Sequence, residues 1–478
     1  MAITPLPITN GFYLSDSMPV SAQQCTNLYV NVVQSQALAQ ETLFGTPGIA
    51  QLATSGEVQN ANRGAHVMDG VPYFVNGQAI YRLNSDNSLT SLGAIPTTAR
   101  VSMADNGSQL FILVPGVDGY IYTASTGVLA IIADADFKAN GLPQSVVFLD
   151  GYFVVTTDSK KFIISALNDG TSYNALDFGT AEADPDYITA PLVFKNQLFI
   201  GGASTCEAFQ NVGGSGFPFR RSGLYLDKGI SATFSVVNAN DTFMFVGAGK
   251  NESPAIWSFT GNTVQKVSTT AIDTLLHALT GAEVASITAW AYAQKGAYFV
   301  GFNLPSTTIV IDTITGRWHE RKSAITNAVG GVSLSRFRAN SIVQAYGKII
   351  VGDNVDGRIG DLNTDVYTEY GANIRRIVST QPFQNNMQSF KLPTLELTVE
   401  SGVGNSADND PQIGLSISKD GGKTYADERL RSMGRIGEYT RRAIWRRNGR
   451  IPRFSVFKFT ISAPVKVVII QLTADIRG

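Results

Sequence analysis

Only three histidines and two cysteines occur among the 478 residues. His66, His277 and His319 each stand apart from one another and from any Cys-x-x-Cys pair, so zinc and nucleophilic-triad chemistry have no local support. Cys25 and Cys206 are far apart in sequence, and a reducing folding compartment is a simpler reading than a disulfide. Walker-type and dinucleotide glycine motifs are missing. No apolar stretch approaches the roughly 18 residues of a membrane span, and residues 1–14 lack the charge and length of a signal peptide. Charge is scarce too: charged residues make up 16% and the net charge is −1, which argues against the chain as a whole binding a polyanion. The expectation is a protein with no catalytic residues, no metal and no cofactor.

What the chain has in abundance is turns between apolar runs. Residues 146–167, VVFLDGYFVVTTDSKKFIISAL, read as three strands, with Asp150-Gly151 as a tight hairpin turn and 158–161 as a polar break. The same signature recurs with turns near Asn76-Gly77, Asn106-Gly107, Lys195-Asn196, Asn240-Asp241, Lys295-Gly296 and Tyr346-Gly347. The later intervals, roughly 44 to 55 residues, match one four-stranded propeller blade. One such unit cannot bury both its faces alone, so neighbours must stack. The high glycine content, 46 residues, fits an all-β protein full of turns.

Three parts are expected. Residues 1–41 are polar and turn-rich and read as an N-terminal arm packed on another sheet, with one strand at 27–33. Residues 42–372 form a β-propeller of six or seven blades, with 72–75 as its first clear strand and 348–351 as its last. Within it Ser268 or Thr269 caps a short helix over 271–279, whose Ile272, Leu275, Leu276 and Leu279 share a side. Past Asn373 the period vanishes, and 391–400, 412–418, 454–461 and 465–472 read as strands of a β-sandwich-like platform domain, 373–478. The glycine- and acid-rich stretch 401–410 reads as a mobile loop.

Three constellations invite a chemical reading. Asp184-Pro185-Asp186 fits paired carboxylates or a calcium site, but a proline turn with solvated acids is the plainer alternative. The run Ser418-Lys-Asp420-Gly-Gly422-Lys-Thr424-Tyr425 resembles the Asp-box of sialidases, a hairpin tied by its aspartate with the aromatic packed beneath. It occurs once, outside the repeats, and reads as a structural lock. The third is RLRSMGRIGEYTRRAIWRRNGRIPR, residues 429–453, with nine arginines and one acid, Glu438. So much like charge on a near-neutral chain marks a partner. Nucleic-acid phosphate and the acidic side chains of another subunit both accept arginine forks; a solvated loop is the plain alternative. The absence of lysine favours fixed, forked contacts. The candidate docking residues are Arg429, Arg431, Arg435, Arg441, Arg442, Arg446, Arg447, Arg450 and Arg453, with Tyr439 and Trp445 as apolar anchors.

Several stretches together resemble one family, the tail-hub or tail-nozzle proteins of short-tailed bacteriophages, often called packaged-DNA stabilisation proteins. They are Asn27-Leu-Tyr29, SALNDGTSYNALDFGTAEADPD from Ser165, TCEAFQNVGGSGFPFRR from Thr205, VSTTAID from Val267, GRWHER from Gly316, and the block from Ser418 to Arg453. Their order and spacing carry the resemblance, over nearly the whole chain. Asn448 and Ile451-Pro452 depart from the more regular residues expected after the tryptophan. The resemblance implies a structural virion protein assembled in the host cytoplasm. It implies a hexameric ring below the portal and its adaptor that retains packaged double-stranded DNA, touches it transiently and conducts it during ejection. It also implies that the ring carries fibres, spikes or a needle. The competing expectation is a propeller glycosidase or glycan-binding tail protein acting on the host surface.

Overall fold

The hairpin at Asp150-Gly151 sets the scale of the fold. Both residues take positive φ, 50° and 87°, as required by the two-residue turn whose twist matches that of paired strands. It joins Pro143–Leu149 to Tyr152–Thr157, and Lys161–Ala166 and Asp169–Thr180 complete a four-stranded antiparallel sheet. Both faces of this sheet are apolar. Phe153, Val155 and Ile163 pack with Phe111 and Ile121 of the sheet before. Leu149, Val154 and Ile164 pack with Ile188, Leu198 and Ile200 of the sheet after. A sheet with two dry faces needs a neighbour on each side, and repeating that need closes a ring.

The computed structural model describes residues 3–56, 58–182, 184, 186–214, 216–326 and 330–478. Among the described residues seven sheets follow one another: 62–94, 102–131, 143–180, 188–226, 229–266, 288–326 and 339–363. The seventh has three strands of its own and takes Gly48–Thr54 as its outer, fourth strand, antiparallel to Arg358–Asn363. The ring is sealed on the inside as well. Asn340 Nδ2 donates to the carbonyl of Asn62 at 2.6 Å, and the Ser341 hydroxyl bonds Asn62 Oδ1. The propeller therefore has seven blades, within the six or seven expected. The strand expected first, observed as Val71–Asn76, is preceded by Asn62–Met68. Gly64 lies so close to the next blade that a Cβ there would sit 2.7 Å from Val101; packing this tight leaves no bulky apolar signature to read.

The C-terminal part is a two-sheet sandwich. One sheet runs Ala443–Arg446, Phe390–Val399, Val468–Arg477, Glu41–Gly45, Leu28–Val32, with Ile3–Leu6 also paired along Val468–Arg477. The other runs Cys25–Thr26, Arg376–Ser379, Phe454–Ile461, Gln412–Ser418, Arg429–Ser432. Strands from the N-terminal segment thus enter both sheets. Cys25–Thr26 also pairs in parallel with the outer strand of blade six, Arg317–Thr326, so one sheet continues from propeller to sandwich. Asn27 fixes this seam: its Nδ2 donates to the carbonyls of Lys322 and Arg375, each at 2.8 Å. One apolar core joins the two, including Trp318 from the blade and Trp445 from the sandwich.

The helix spans Thr270–His277, with Ala271, Ile272 and Leu276 buried. Thr269 is its N-cap without a side-chain bond; Ser268 reaches Asp273 at 2.5 Å. A second helix, Gly281–Ala285, starts with a Thr280–Glu283 capping box that the apolar pattern does not reveal. The stretch 401–410, expected to be mobile, is tied down. Gly402 N donates to Met433 O at 3.1 Å, and Asn405 Nδ2 to Pro464 O at 2.9 Å.

Candidate functional site

Strand alternation decides which way the arginine segment points. Arg429–Ser432 is the edge strand of one sandwich sheet and Ala443–Arg446 the edge strand of the other. The segment between them closes one side of the sandwich, and Arg431 Nε donates across it to Ile444 O at 2.8 Å. Successive side chains of a strand face opposite ways, so Ala443 and Trp445 turn inward while Arg446 turns out. Arg429 is half-buried, and Arg431, Arg435, Arg441, Arg442, Arg446, Arg447, Arg450 and Arg453 are exposed.

Trp445, expected as a docking anchor, is corrected by this geometry. It is fully buried, its indole packs on Phe459 with centroids 5.6 Å apart, and its Nε1 donates to Arg429 O at 2.7 Å. It holds the two sheets together and is closed to a partner. The exposed apolar side chains are instead Leu430, Ile436 and Tyr439, at 53%, 73% and 72%.

Among the described residues only the Arg442 guanidinium in the segment meets a carboxylate, a fork on Glu396 at 2.7 and 2.5 Å. Being exposed, that pair contributes little stability. The others use neutral acceptors or none. Arg429 binds Asn448 Oδ1 at 2.6 Å, Arg450 binds Ser389 Oγ at 2.6 Å, and Arg453 lies 3.4 Å from the Met387 sulfur. The guanidiniums of Arg435, Arg441, Arg446 and Arg447 bond no described residue. Sequence reading missed two lysines that join the patch. Lys391 lies opposite Arg450 in register, and Lys419 Nζ is 3.7 Å from where a Cβ on Gly449 would be. Strand register reveals Lys391, and the approach of the Asp420 hairpin to Gly449 reveals Lys419.

The Asp420 hairpin flanks this patch. Its carboxylate accepts from the Thr424 hydroxyl at 2.5 Å, from Thr424 N at 3.0 Å, from the Ser418 hydroxyl at 2.7 Å and from Lys423 N at 3.0 Å. Those bonds, led by Thr424, hold the Asp420 carboxyl well below the usual carboxylate range. Gly422 N donates to Ser418 Oγ at 2.8 Å, and Lys458 Nζ sits 3.7 Å over the Tyr425 ring. Burial pushes the Tyr425 phenol up to about 12. Every polar atom of the Asp420 carboxylate is thus occupied by its own turn, the arrangement of a lock.

The remaining candidates have local occupations. Asp184 and Asp186 converge on Ser204: its hydroxyl bonds both, at 2.8 and 3.1 Å, and its N–H bonds Asp186 at 2.8 Å. Pro185 between them lies outside the described residues. Among the described residues no cluster of metal-ligating side chains occurs. His66 pairs with Asp105 at 2.6 Å; His319 is buried beside Arg321, and desolvation followed by that charge holds its pKa well below the ordinary value. Cys25 and Cys206 are free and buried, and burial pushes the Cys25 thiol up to about 12.

Two family profiles match this chain. One described as "Bacteriophage P22 Gp10, beta-propeller" matches residues 4–367, and one described as "Bacteriophage P22 Gp10, beta-sandwich" matches residues 375–477. The tail hub protein gp10 of Salmonella phage P22 is 23% identical over 419 residues, covering 83% of this chain and 84% of that protein. Among solved structures, the WD40 beta propeller domain of Doa1 aligns with a TM-score of 0.39 and 13% identity, over 66% of this chain and 96% of that one. The computationally designed Ika8 protein aligns with a TM-score of 0.37 and 13% identity, over 72% of this chain and 100% of that one.

Proposed function

The chain belongs to the bacteriophage P22 Gp10 family, and from that premise we infer that it is a structural protein of a short phage tail, the tail's hub. The observation that carries this reading is the continuity of the match, which runs through propeller and sandwich alike. The protein is a component of the virion that assembles with other tail proteins. It has no catalytic role, and the comparisons lend no support to a glycosidase or glycan-binding protein.

The finer reading is a hexameric ring below portal and adaptor that retains packaged DNA and conducts it during ejection. It is assembled in the host cytoplasm and carries fibres, spikes or a needle. Near-zero net charge suits a conduit that must not grip its cargo. The arm, 1–41, and the platform, 373–478, act as one body beside the propeller, 42–372, except that Glu41–Gly45 belongs to the sandwich sheet and the first propeller strand is Gly48–Thr54; the strand pairs that Ile3–Leu6 and Leu28–Val32 make within the sandwich sheet support the union of arm and platform. The arginine segment is the mounting surface toward the portal–adaptor end or the adjacent subunit. The guanidiniums of Arg435, Arg441, Arg446 and Arg447, which bond no described residue, together with exposed Leu430, Ile436 and Tyr439, have the makeup of a protein interface. Arginines lining a DNA conduit would instead add salt-dependent phosphate contacts that slow ejection.

Replacing Arg441, Arg446 and Arg447 together by glutamine tests this, because none of the three supports the fold through a described bond. The variant is expected to fold, to stay off particles, and to yield filled heads that leak DNA. Negative-stain counts of assembled tails read the result, and intact tails with altered DNA retention would sink the docking role.

A further inference from the structure

The propeller holds a pair of arginines unmarked by any charge run. Arg100 lies just before the inner strand of blade two, and Arg336 just before that of blade seven. They line one cavity of about 390 Å³, together with Phe234, Thr288, Asn303 and Asn340. That volume lies within the roughly 300–1,000 Å³ of small-molecule sites. Thr288 and Asn340 stand at the start of the inner strands of blades six and seven, which places the cavity at one mouth of the central tunnel.

Both guanidiniums are anchored to the same neutral residue. Arg100 Nη1 donates to Asn340 O, and Arg336 Nη2 to Asn340 Oδ1, each at 3.2 Å. Arg100 also lies over the Phe234 ring, 5.3 Å from its centroid, and its buried Nε has no hydrogen-bond partner. Neither arginine forms an ion pair among the described residues. Asp353, the acid that acts on Arg336 through space, is committed to Arg338 Nε at 2.6 Å and to Val355 N at 2.6 Å. Burial, and then the charge of Arg336, lowers the Arg100 pKa to about 10. Two like charges are thus held in a partly dry cavity with a spare donor and no ion-pair partner among the described residues, an arrangement that costs free energy until an anion enters.

We propose that this cavity is a phosphate-binding site, taking either free inorganic phosphate or the phosphate group of a small phosphate ester. Two guanidinium forks and the Thr288 hydroxyl, whose oxygen already accepts from Asn303 Nδ2 at 3.2 Å and whose proton is free to donate, offer donors for more than the two oxygens of a carboxylate. The cavity exceeds one phosphate ion, so the two sources are separable by experiment. The inference rests on the propeller alone and stands or falls independently of the tail-hub reading.

Isothermal titration of the full chain with inorganic phosphate and with AMP, at chloride-matched ionic strength, tests it. One-to-one saturable binding is expected, weakened about tenfold or more in Arg336→Met and in Arg100→Met, since each removes charged hydrogen bonds. Arg336→Lys, which keeps the charge and loses the fork, is expected to fall between. Tighter binding of AMP identifies an ester, and equal or tighter binding of phosphate identifies the free ion. No saturable heat with either probe in the unmodified protein overturns the site, as does unchanged affinity in a folded Arg336→Met.

Discussion

Phe153→Ala puts the most direct strain on the propeller. Phe153 is fully buried, its ring edge-on to Phe111 with centroids 5.5 Å apart and tilted against Phe148 at 5.0 Å. The hole left by truncation is walled by backbone as well as side chains: a Cβ on Gly170 would lie 3.1 Å from the ring. Strands held in two ladders cannot slide to fill it, so the loss should sit well inside the roughly 3–5 kcal/mol of buried Phe truncations, at about 4 kcal/mol. Unfolding entropy near 2.1 cal/mol/K per residue, taken over the roughly 320 residues of the ring, is about 0.7 kcal/mol/K and converts this to a fall of about 6 °C in midpoint. Differential scanning calorimetry reads the shift. Leu176→Ala on the outer strand of the same blade, where Leu176 is 80% exposed, should leave the midpoint within about 1 °C. An unshifted Phe153→Ala, or equal shifts in both variants, would refute the packing of one blade between two others.

Other outcomes follow from single side chains. Arg321 Nε donates to His319 Nε2 at 3.3 Å, which requires a neutral imidazole. His319 has its folded pKa depressed by burial, so the unfolded chain binds the extra proton and stability is lost as pH falls below the unfolded value near 6.5. Denaturant melts from pH 7 to 5 should slope by about 1.4 kcal/mol per pH unit at most from this group, and His319→Gln should remove that share of the slope. Asp420 behaves as a depressed carboxylate: its contribution is present above the unfolded pKa near 4 and lost as pH falls toward the folded value. Asp420→Asn should therefore raise proteolytic nicking of the hairpin at neutral pH while differing little from the parent in strong acid; equal nicking at pH 7 would rule out the lock.

Much of the fold was legible because turns and alternation are local. Asp150-Gly151, Lys295-Gly296 and Tyr346-Gly347 take the positive φ values that hairpins demand, and the alternating stretch at 412–418 is a strand with those bounds, Gln412–Ser418. The arginine density at 429–453 is likewise a fact of sequence. What that stretch exposes is not, because inward and outward depend on which ladder a strand joins. Placing Ala443–Arg446 against Phe390–Val399 turned Trp445 into the core and left Tyr439 outside.

The sequence by itself determined that this chain is built of short paired strands with a repeating unit and then a different β domain, since period-two patterning and turn residues act within a few positions. Tertiary structure alone decided who pairs with whom. Gly48–Thr54 completes the last blade rather than the first, the segment around Asn27 stitches blade six to the sandwich, and Arg100 meets Arg336 across the tunnel mouth. Those partners lie hundreds of residues apart, and a strand edge carries no label for its mate. Only closing the ring, which leaves each dry face one neighbour and each edge one partner, selects among them.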